Sequence, residues 1–162
     1  MEKSKPPDPS GFVAAVLNRQ RRVRISVRPL NAFVSDVARE LRFPPHAVAV
    51  RLVSDAAMAR LNRRFRGKKG STDVLSFPAG GTPQRRKPSS PAASEEGYVG
   101  DIAIAPETAS RNARLYSRSL AEELRMLILH GMIHLAGYDH ENDRGQMARL
   151  ERRLRRRLGL NA

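Results

Sequence analysis

The chain has 162 residues, no cysteine and a formal net charge of +14, from 30 basic and 16 acidic residues. The length fits one domain with its own hydrophobic core, and the lack of cysteine excludes disulfides and cysteine-ligated zinc sites. The basic excess, in which 25 residues are arginine, favours a polyanionic partner because cationic side chains displace counterions from phosphates; the alternative is a coding bias that places arginine on a solvated surface.

The N-terminal region shows no targeting signal. Its longest apolar run, residues 12–17, is too short for the hydrophobic part of a secretion signal or for a membrane span. We therefore expect a cytoplasmic protein with no membrane partner. Several prolines and no clear period predict a loose arm over residues 1–20.

Strands and helices are predicted to alternate through the first half of the chain. Apolar and polar residues alternate over residues 22–28, which predicts a half-buried first strand. Apolar residues then recur at helical spacing until Pro44 and Pro45 stop the helix. A second helix, with Asp55 as its N-cap, is predicted to end near Gly67. The predicted order is strand, helix, strand, helix and strand, over residues 22–28, 30–41, 47–53, 55–65 and 73–78.

The second half begins with a segment rich in Pro, Gly, Ser and Arg, residues 80–96. This composition predicts a flexible loop inside the domain, because a fourth strand over residues 98–105 follows it directly. Pro106 is placed to open a short helix. Ser119 and Glu122 have the spacing of a capping box, which predicts the start of a further helix.

The helix that begins at this capping box is predicted to run to Ala136 and is apolar nearly all round. Such a helix belongs in the middle of a protein. A last helix, over about residues 143–158, combines an apolar stripe with other faces that are covered by arginine. The sequence therefore predicts a single α+β domain, residues 21–162, with a mixed four-stranded sheet packed with helices and a central buried helix.

The central helix and the turn after it contain three of the four histidines, His130, His134 and His140. His130 and His134 are four residues apart, so they lie about 40° apart around the helix axis, one turn above the other. Gly137 permits the left-handed turn that ends the helix, after which the chain can bring His140 to the same point. Three imidazoles with an open coordination position are typical of a catalytic site, and we expect one zinc, or another divalent transition metal, per chain.

Two other interpretations of these histidines were considered. Core histidines bonded to backbone carbonyls would each need compensation for lost solvation. The spacing His-x-x-x-His-x-x-Gly-x-x-His also matches the metzincin proteases, in which a glutamate directly after the first histidine is the general base. Here that position is Gly131, which cannot move a proton, and this disfavours a peptidase.

The segment His130–His140, HGMIHLAGYDH, resembles the signature of the YbeY family of bacterial metal-dependent endoribonucleases. Four other segments also resemble the family and occur in the family's order: Leu61-Asn62, Phe65–Lys68, Thr72–Pro78 and Gly100–Ile102. With the signature, the resemblance spans about residues 47–140. The segment 80–96 is longer than is usual in the family.

The resemblance implies a single-strand-specific metallo-endoribonuclease, a hydrolase acting on ester bonds, with roles in ribosomal RNA maturation at the 3′ end of the small-subunit RNA and in ribosome quality control. It implies His130, His134 and His140 as ligands of a zinc-like metal, and Arg66 as a catalytic arginine. The implied partners are single-stranded RNA, especially precursor ribosomal RNA, and the ribosome or its proteins. The oligomeric state is left open.

Further residues are candidates for roles around such a site. Arg66 can pair with a phosphate and stabilise charge in the transition state. Asp101 shares a strand face with Val99 and Ala103 and is a candidate to orient a ligand histidine; Asp139 is either a second such candidate or a cap of the turn. No general base is visible, and either water or the 2′-hydroxyl of RNA is the nucleophile.

The candidates for RNA binding are basic residues close to Arg66, namely Arg63, Arg64, Lys68 and Lys69. The arginine run 152–157 either extends this surface or forms a solvated face. Aromatic residues are scarce, so weak sequence preference and strong salt dependence are expected. The alternative to an enzyme is a metal-stabilised ribosome-assembly factor that binds RNA without catalysis.

Overall fold

The structure of the chain, a computed structural model, describes residues 15–80 and 97–160. These residues form four strands and five helices. All but the first residue of the predicted loop 80–96 lies outside the described residues. In chain order the elements are β1 (Val16–Asn18), α1 (Val27–Glu40), β2 (Val48–Leu52), α2 (Asp55–Arg66), β3 (Val74–Pro78), β4 (Gly100–Ile104), α3 (Pro106–Leu115), α4 (Leu120–Leu135) and α5 (Gln146–Arg157).

The four strands form one mixed sheet in the order β1-β2-β4-β3. Strands β1, β2 and β4 run parallel, and β3 pairs antiparallel with β4 at one edge. In this register Ile102 of β4 lies opposite Val50 on one side and Ser76 on the other. The predicted α+β domain with a mixed four-stranded sheet is therefore confirmed.

The position of the first strand differs from the prediction. Residues 22–28 contain no strand, because they form bends and the start of α1, whereas β1 lies inside the predicted arm. The side chain of Gln20 bonds both backbone groups of Val23, at 2.8 and 2.9 Å, and this closes a turn that cannot pair with the sheet. The prediction of a strand at 22–28 is wrong for this reason; residues 1–14 of the predicted arm lie outside the described residues.

The N-cap of α2 also differs by one residue from the prediction. The hydroxyl of Ser54 accepts a hydrogen bond from the amide of Ala57, so Ser54 rather than Asp55 caps the helix. Asp55 instead accepts hydrogen bonds from Thr108 and Arg111, at 2.8 and 2.7 Å. This residue therefore joins α2 to α3.

Helices cover the two faces of the sheet unequally. On one face, α1, α4 and α5 pack with the strands around a large apolar core that includes Ile102 and Ile104 of β4. On the other face, a smaller cluster joins Met58 of α2 to Leu75 and Ala103 of the sheet. The two faces are called here the α4 face and the α2 face.

Helix α4 is the buried central helix that the sequence predicts. The hydroxyl of Ser119 accepts from the amide of Glu122 at 3.1 Å, as in a capping box. Most side chains from Leu124 to Leu135 are buried. Although α4 is apolar on most sides, none of the helices in the described ranges has the length and apolar character needed to cross a membrane.

Candidate metal centre

The C-terminal end of α4 and the turn after it bring three histidines together. His130 and His134 lie one turn apart on the helix, and His140 follows the turn at Gly137. Gly137 has a φ of +100°, which side-chain-bearing residues rarely adopt, and its amide donates to the carbonyl oxygen of His134 at 2.9 Å. One ring nitrogen from each histidine belongs to a group in which these atoms all lie within 4.8 Å of one another.

Hydrogen bonds determine which nitrogen of each helical histidine faces the centre. Nδ1 of His134 lies 2.9 Å from the backbone oxygen of Tyr138, and Nδ1 of His130 lies 3.4 Å from Oε2 of Glu151. Since both partners are acceptors, each Nδ1 carries the proton and each Nε2 presents a lone pair. The two Nε2 atoms are 3.1 Å apart, so their lone pairs repel unless a cation lies between them.

This donor set fits a divalent transition metal. Zinc binds imidazole nitrogens at about 2.0–2.1 Å in tetrahedral geometry, which separates two ligand atoms by about 3.3 Å. The 3.1 Å between the Nε2 atoms of His130 and His134 is close to that separation. The exposed His140 lies beside them, with its ring centre 5.3 Å from that of His130 and 5.7 Å from that of His134. Imidazole suits zinc and several other transition metals, so the donor set alone does not single out zinc.

The surroundings of His134 favour its neutral form. Burial lowers the pKa of His134, and the neighbouring His130 lowers it further. The carbonyl oxygen of Tyr138 and the carboxylate of Asp139 act in the opposite direction without reversing the shift. Because a metal binds the neutral imidazole, this environment keeps the ligand nitrogen available.

Glu151 of α5 belongs to the site and was missed in the sequence analysis. This side chain is only 8% exposed, and its second oxygen accepts a hydrogen bond from Arg155 at 2.7 Å. Burial acts to raise the pKa of Glu151, but the hydrogen bond and charge of His130, together with Arg155, lower it to about 2. A carboxylate that accepts from a ligand histidine fixes the tautomer and the orientation of the ring.

A signal for Glu151 is present in the sequence. The last helix has an apolar stripe that includes Met147, Leu150 and Leu154, and Glu151 follows Met147 by one helical turn. A lone carboxylate on the buried side of a helix requires a partner. His130 could not be named as this partner in advance, because it lies on another helix.

The structure does not bring Asp101 to the histidines. Asp101 lies with Ala103 on the α2 face, whereas Ile102 belongs to the core under α4. Its carboxylate accepts a hydrogen bond from the hydroxyl of Tyr98 at 2.6 Å. Among the hydrogen bonds of the described residues, none joins Asp101 to a histidine.

Asp139 caps the turn, which is one of the two roles considered for it. Its two oxygens accept from the amide of Glu141 and from the side-chain amide of Asn142, each at 3.1 Å. The carboxylate therefore shapes the loop that leads to His140. The orienting contacts of the helical histidines come from Glu151 and from a backbone oxygen instead.

Gly131 lets α4 approach the sheet closely. A Cβ atom at this position would lie 3.0–3.2 Å from side-chain atoms of Ile102 and Ser76. The hydroxyl of Ser76 also donates to the carbonyl oxygen of Gly131 at 3.2 Å. A glutamate in this position, as in a metzincin protease, would crowd Ile102 and Ser76 of the sheet, and this also disfavours a peptidase.

The predicted RNA-binding residues lie at the end of α2 and are called here the basic cluster. Phe65 packs edge to face against Phe77 of β3, with ring centres 5.1 Å apart, while Ser76 of the same strand contacts α4. Edge strand β3 therefore contacts both the end of α2 and the helix of the metal centre. The members of the basic cluster are all exposed and are Arg63, Arg64, Arg66, Lys68 and Lys69.

A buried amide holds the loop that carries part of the basic cluster. Asn62 is 4% exposed, its Nδ2 donates to the carbonyl oxygen of Gly70 at 3.0 Å, and its backbone oxygen accepts from the amide of Lys68 at 3.4 Å. The guanidinium of Arg66 makes no hydrogen bond or ion pair with any residue that the structure describes. Its guanidinium is thus anchored only through its own helix end.

Known proteins are similar to this chain in sequence and in fold. The sequence pattern of a family described as endoribonuclease YbeY matches residues 15–159. A relative of that description from Koribacter versatilis (strain Ellin345) is 41% identical over 145 residues, which cover 90% of this chain and 86% of the relative. Another, from Solibacter usitatus (strain Ellin6076), is 44% identical over 109 residues, which cover 67% of this chain and 64% of the relative. The match to the second relative thus spans slightly less than two thirds of its length.

A solved structure is also similar. The solution structure of a protein from Thermotoga maritima is 29% identical in sequence and superimposes with a TM-score of 0.54, over 82% of this chain and 80% of that chain. The likeness in sequence therefore extends to the arrangement of strands and helices.

Proposed function

Because the chain belongs to the YbeY endoribonuclease family, we propose that it is a metal-dependent enzyme that hydrolyses single-stranded RNA. We further propose precursor ribosomal RNA, near the 3′ end of the small-subunit RNA, as the substrate. The ribosome or its proteins would present this substrate in the cytoplasm. The observation that carries the proposal is the convergence of two lone-pair-bearing Nε2 atoms, 3.1 Å apart, beside a third imidazole.

Each residue around the centre is given a distinct role. His130, His134 and His140 hold one divalent ion, zinc or another transition metal. When bound, such an ion supplies Lewis acidity towards a phosphoryl oxygen and the attacking oxygen. Glu151 and the backbone oxygen of Tyr138 keep the two helical imidazoles in the tautomer that binds a metal.

Arg66 is the proposed partner of the phosphate that is cleaved. A guanidinium pairs with phosphate through two parallel hydrogen bonds and stabilises the negative charge that develops in the transition state. The exposure of Arg66, and its lack of a partner among the described residues, leave this group available. The family resemblance at Phe65–Lys68 supports the same role.

Two of the carboxylates near the three histidines are already engaged. Glu151 accepts from Arg155 and faces His130, and Asp139 caps the turn. Neither is therefore assigned the proton transfer. An RNA with a single 2′-deoxy nucleotide at the cleaved position distinguishes the two nucleophiles, because it stops cleavage only if the 2′-hydroxyl attacks.

The proposal is tested by incubating the purified protein with labelled single-stranded RNA, with and without a chelator. A His134→Ala protein, purified in the same way, reports contaminating nuclease. We expect cleavage by the wild-type protein, no cleavage with the chelator or the variant, and recovery when a divalent metal is returned. Tight RNA binding without cleavage, combined with unfolding on metal removal, would overturn the enzyme in favour of a metal-stabilised RNA-binding factor.

A further inference from the structure

The arginines of α5 divide into two groups. Arg155 pairs with Glu151 at 2.7 Å and Arg157 pairs with Glu40 at 3.1 Å, so both have a carboxylate partner. The other group has no ion pair with any residue in the described ranges. Its members are Arg149, Arg152, Arg153 and Arg156.

The unpaired group forms one stripe along the helix. Spacings of three, four and seven residues place these side chains on the same face. Like charges at such spacings repel one another and destabilise a helix. A stripe of this kind is therefore stabilised by an external anion, whereas the paired arginines need none.

The stripe lines a concave surface, called here the arginine groove. It is an open cavity of about 750 Å³ between α5 and the turn after α4. None of the described residues that line it is acidic. Besides the four arginines, the lining residues are Tyr138, Gln146 and Leu150.

The arginine groove adjoins the metal centre through Tyr138. Tyr138 is one of the residues that line the groove, and its backbone oxygen lies 2.9 Å from Nδ1 of His134. A molecule bound in the groove would therefore contact Tyr138, which in turn contacts the candidate metal ligand His134. The groove is distinct from the basic cluster, which lies on the α2 face.

We propose that the arginine groove binds the phosphate backbone of single-stranded RNA next to the bond that is cleaved. This inference rests on the proposed function, since RNA is the substrate proposed there. Arginine suits the task because its planar guanidinium matches the geometry of phosphate oxygens. Contacts of this type position a nucleic acid without reading its sequence.

The test compares two triple charge reversals of equal size. The groove variant is Arg152→Glu with Arg153→Glu and Arg156→Glu. The control variant changes Arg21, Arg22 and Arg24, which are also exposed, to Glu. Binding of a labelled, unstructured single-stranded RNA to the metal-loaded proteins is measured by fluorescence anisotropy at several salt concentrations, and the recovered RNA is checked for cleavage.

We expect the groove variant to bind RNA at least about 10-fold more weakly than the control variant. The slope of log Kd against log salt concentration should be smaller by about 2 for the groove variant than for the control variant. Three phosphate contacts are lost, and each contributes about 0.7 to the slope for a single strand. Thermal melting establishes that both variants fold. If the glutamate variant does not, the corresponding Arg→Gln variant replaces it.

The failure of this inference can be told apart from failure of the proposed function. If the wild-type protein binds and cleaves RNA but the groove variant binds RNA as well as the control variant, only the RNA-binding role of the groove is overturned. The arginine stripe would then face solvent or bind an acidic protein. A wild-type protein that neither binds nor cleaves RNA overturns both proposals.

Discussion

The two faces of the sheet contribute different parts of the proposed site. On the α4 face, the imidazoles of His130 and His134 are held by a helix packed in the main core and by the hydrogen bonds that they donate to Glu151 and to the backbone oxygen of Tyr138. On the α2 face, a small apolar cluster supports a helix end whose cationic side chains are exposed. Ligands of a metal need fixed positions, which a packed core provides, whereas side chains that capture a polyanion must reach into solvent.

Edge strand β3 connects these two parts. Ser76 bonds the carbonyl oxygen of Gly131 on α4, and the adjacent Phe77 packs against Phe65 at the end of α2. Adjacent residues of a strand point to opposite faces, so one short strand supports both parts. Separate roles for the two faces lead to three predictions. Each prediction changes one residue on one face and measures RNA cleavage, metal binding or stability.

Arg66→Glu tests the α2 face and has the largest expected effect. We expect RNA cleavage to slow by about 100- to 1,000-fold, because a group that stabilises the transition-state charge is replaced by one that repels it. Metal content should equal that of the wild-type protein, as measured by atomic emission. Arg60→Glu is the matched control, since Arg60 is exposed on the same helix. Loss of metal from the Arg66 variant would show that the two faces do not act separately.

Glu151→Ala tests the α4 face. We expect metal affinity to fall by about 10- to 100-fold, because the ring of His130 loses the acceptor that fixes its tautomer. The affinity is measured by competition with a chelating dye. Glu151→Gln should lie between Ala and wild type, since its one amide oxygen still accepts from Nδ1 of His130, whereas its amide nitrogen cannot accept from Arg155. Glu141→Ala, at an exposed position next to His140, is the control. Equal metal affinities in all four proteins would remove Glu151 from the site.

Gly131→Ala tests how tightly the α4 face is packed and has the smallest expected effect. Overpacking against Ile102 and Ser76 costs about 1–3 kcal/mol, and the higher helix propensity of alanine offsets about 1 kcal/mol of this cost. We therefore expect the free energy of unfolding to fall by up to about 2 kcal/mol, measured by urea denaturation. An increase would mean that the sheet moves aside and that Gly131 is not needed for close packing.

The parts of the fold that the sequence predicts correctly depend on short-range patterns. The hydroxyl of Ser119 caps α4, and Gly137 takes the left-handed conformation where the helix ends. His130 and His134 converge because a spacing of four residues places them one turn apart. In each case the physical cause lies within a few residues of its effect.

The incorrect prediction of the first strand concerns long-range pairing. The alternating pattern over 22–28 is a local signal, but a strand exists only where a neighbour supplies hydrogen bonds, and β2 pairs with Val16–Asn18 instead. The side of the sheet on which Asp101 lies depends on which helices cover each face. The alternation of side chains along β4 cannot reveal which face Asp101 occupies, because the alternating pattern is the same whichever helices cover that face.

The family, the buried helix and the three histidines follow from the sequence alone, since motif, hydrophobic pattern and ligand spacing are properties of consecutive residues. The packed fold was needed to show that Glu151 rather than Asp101 faces His130, and which arginines of α5 are paired with carboxylates. These outcomes depend on contacts between elements distant in sequence. A side chain finds such partners only after the helices have packed on the sheet.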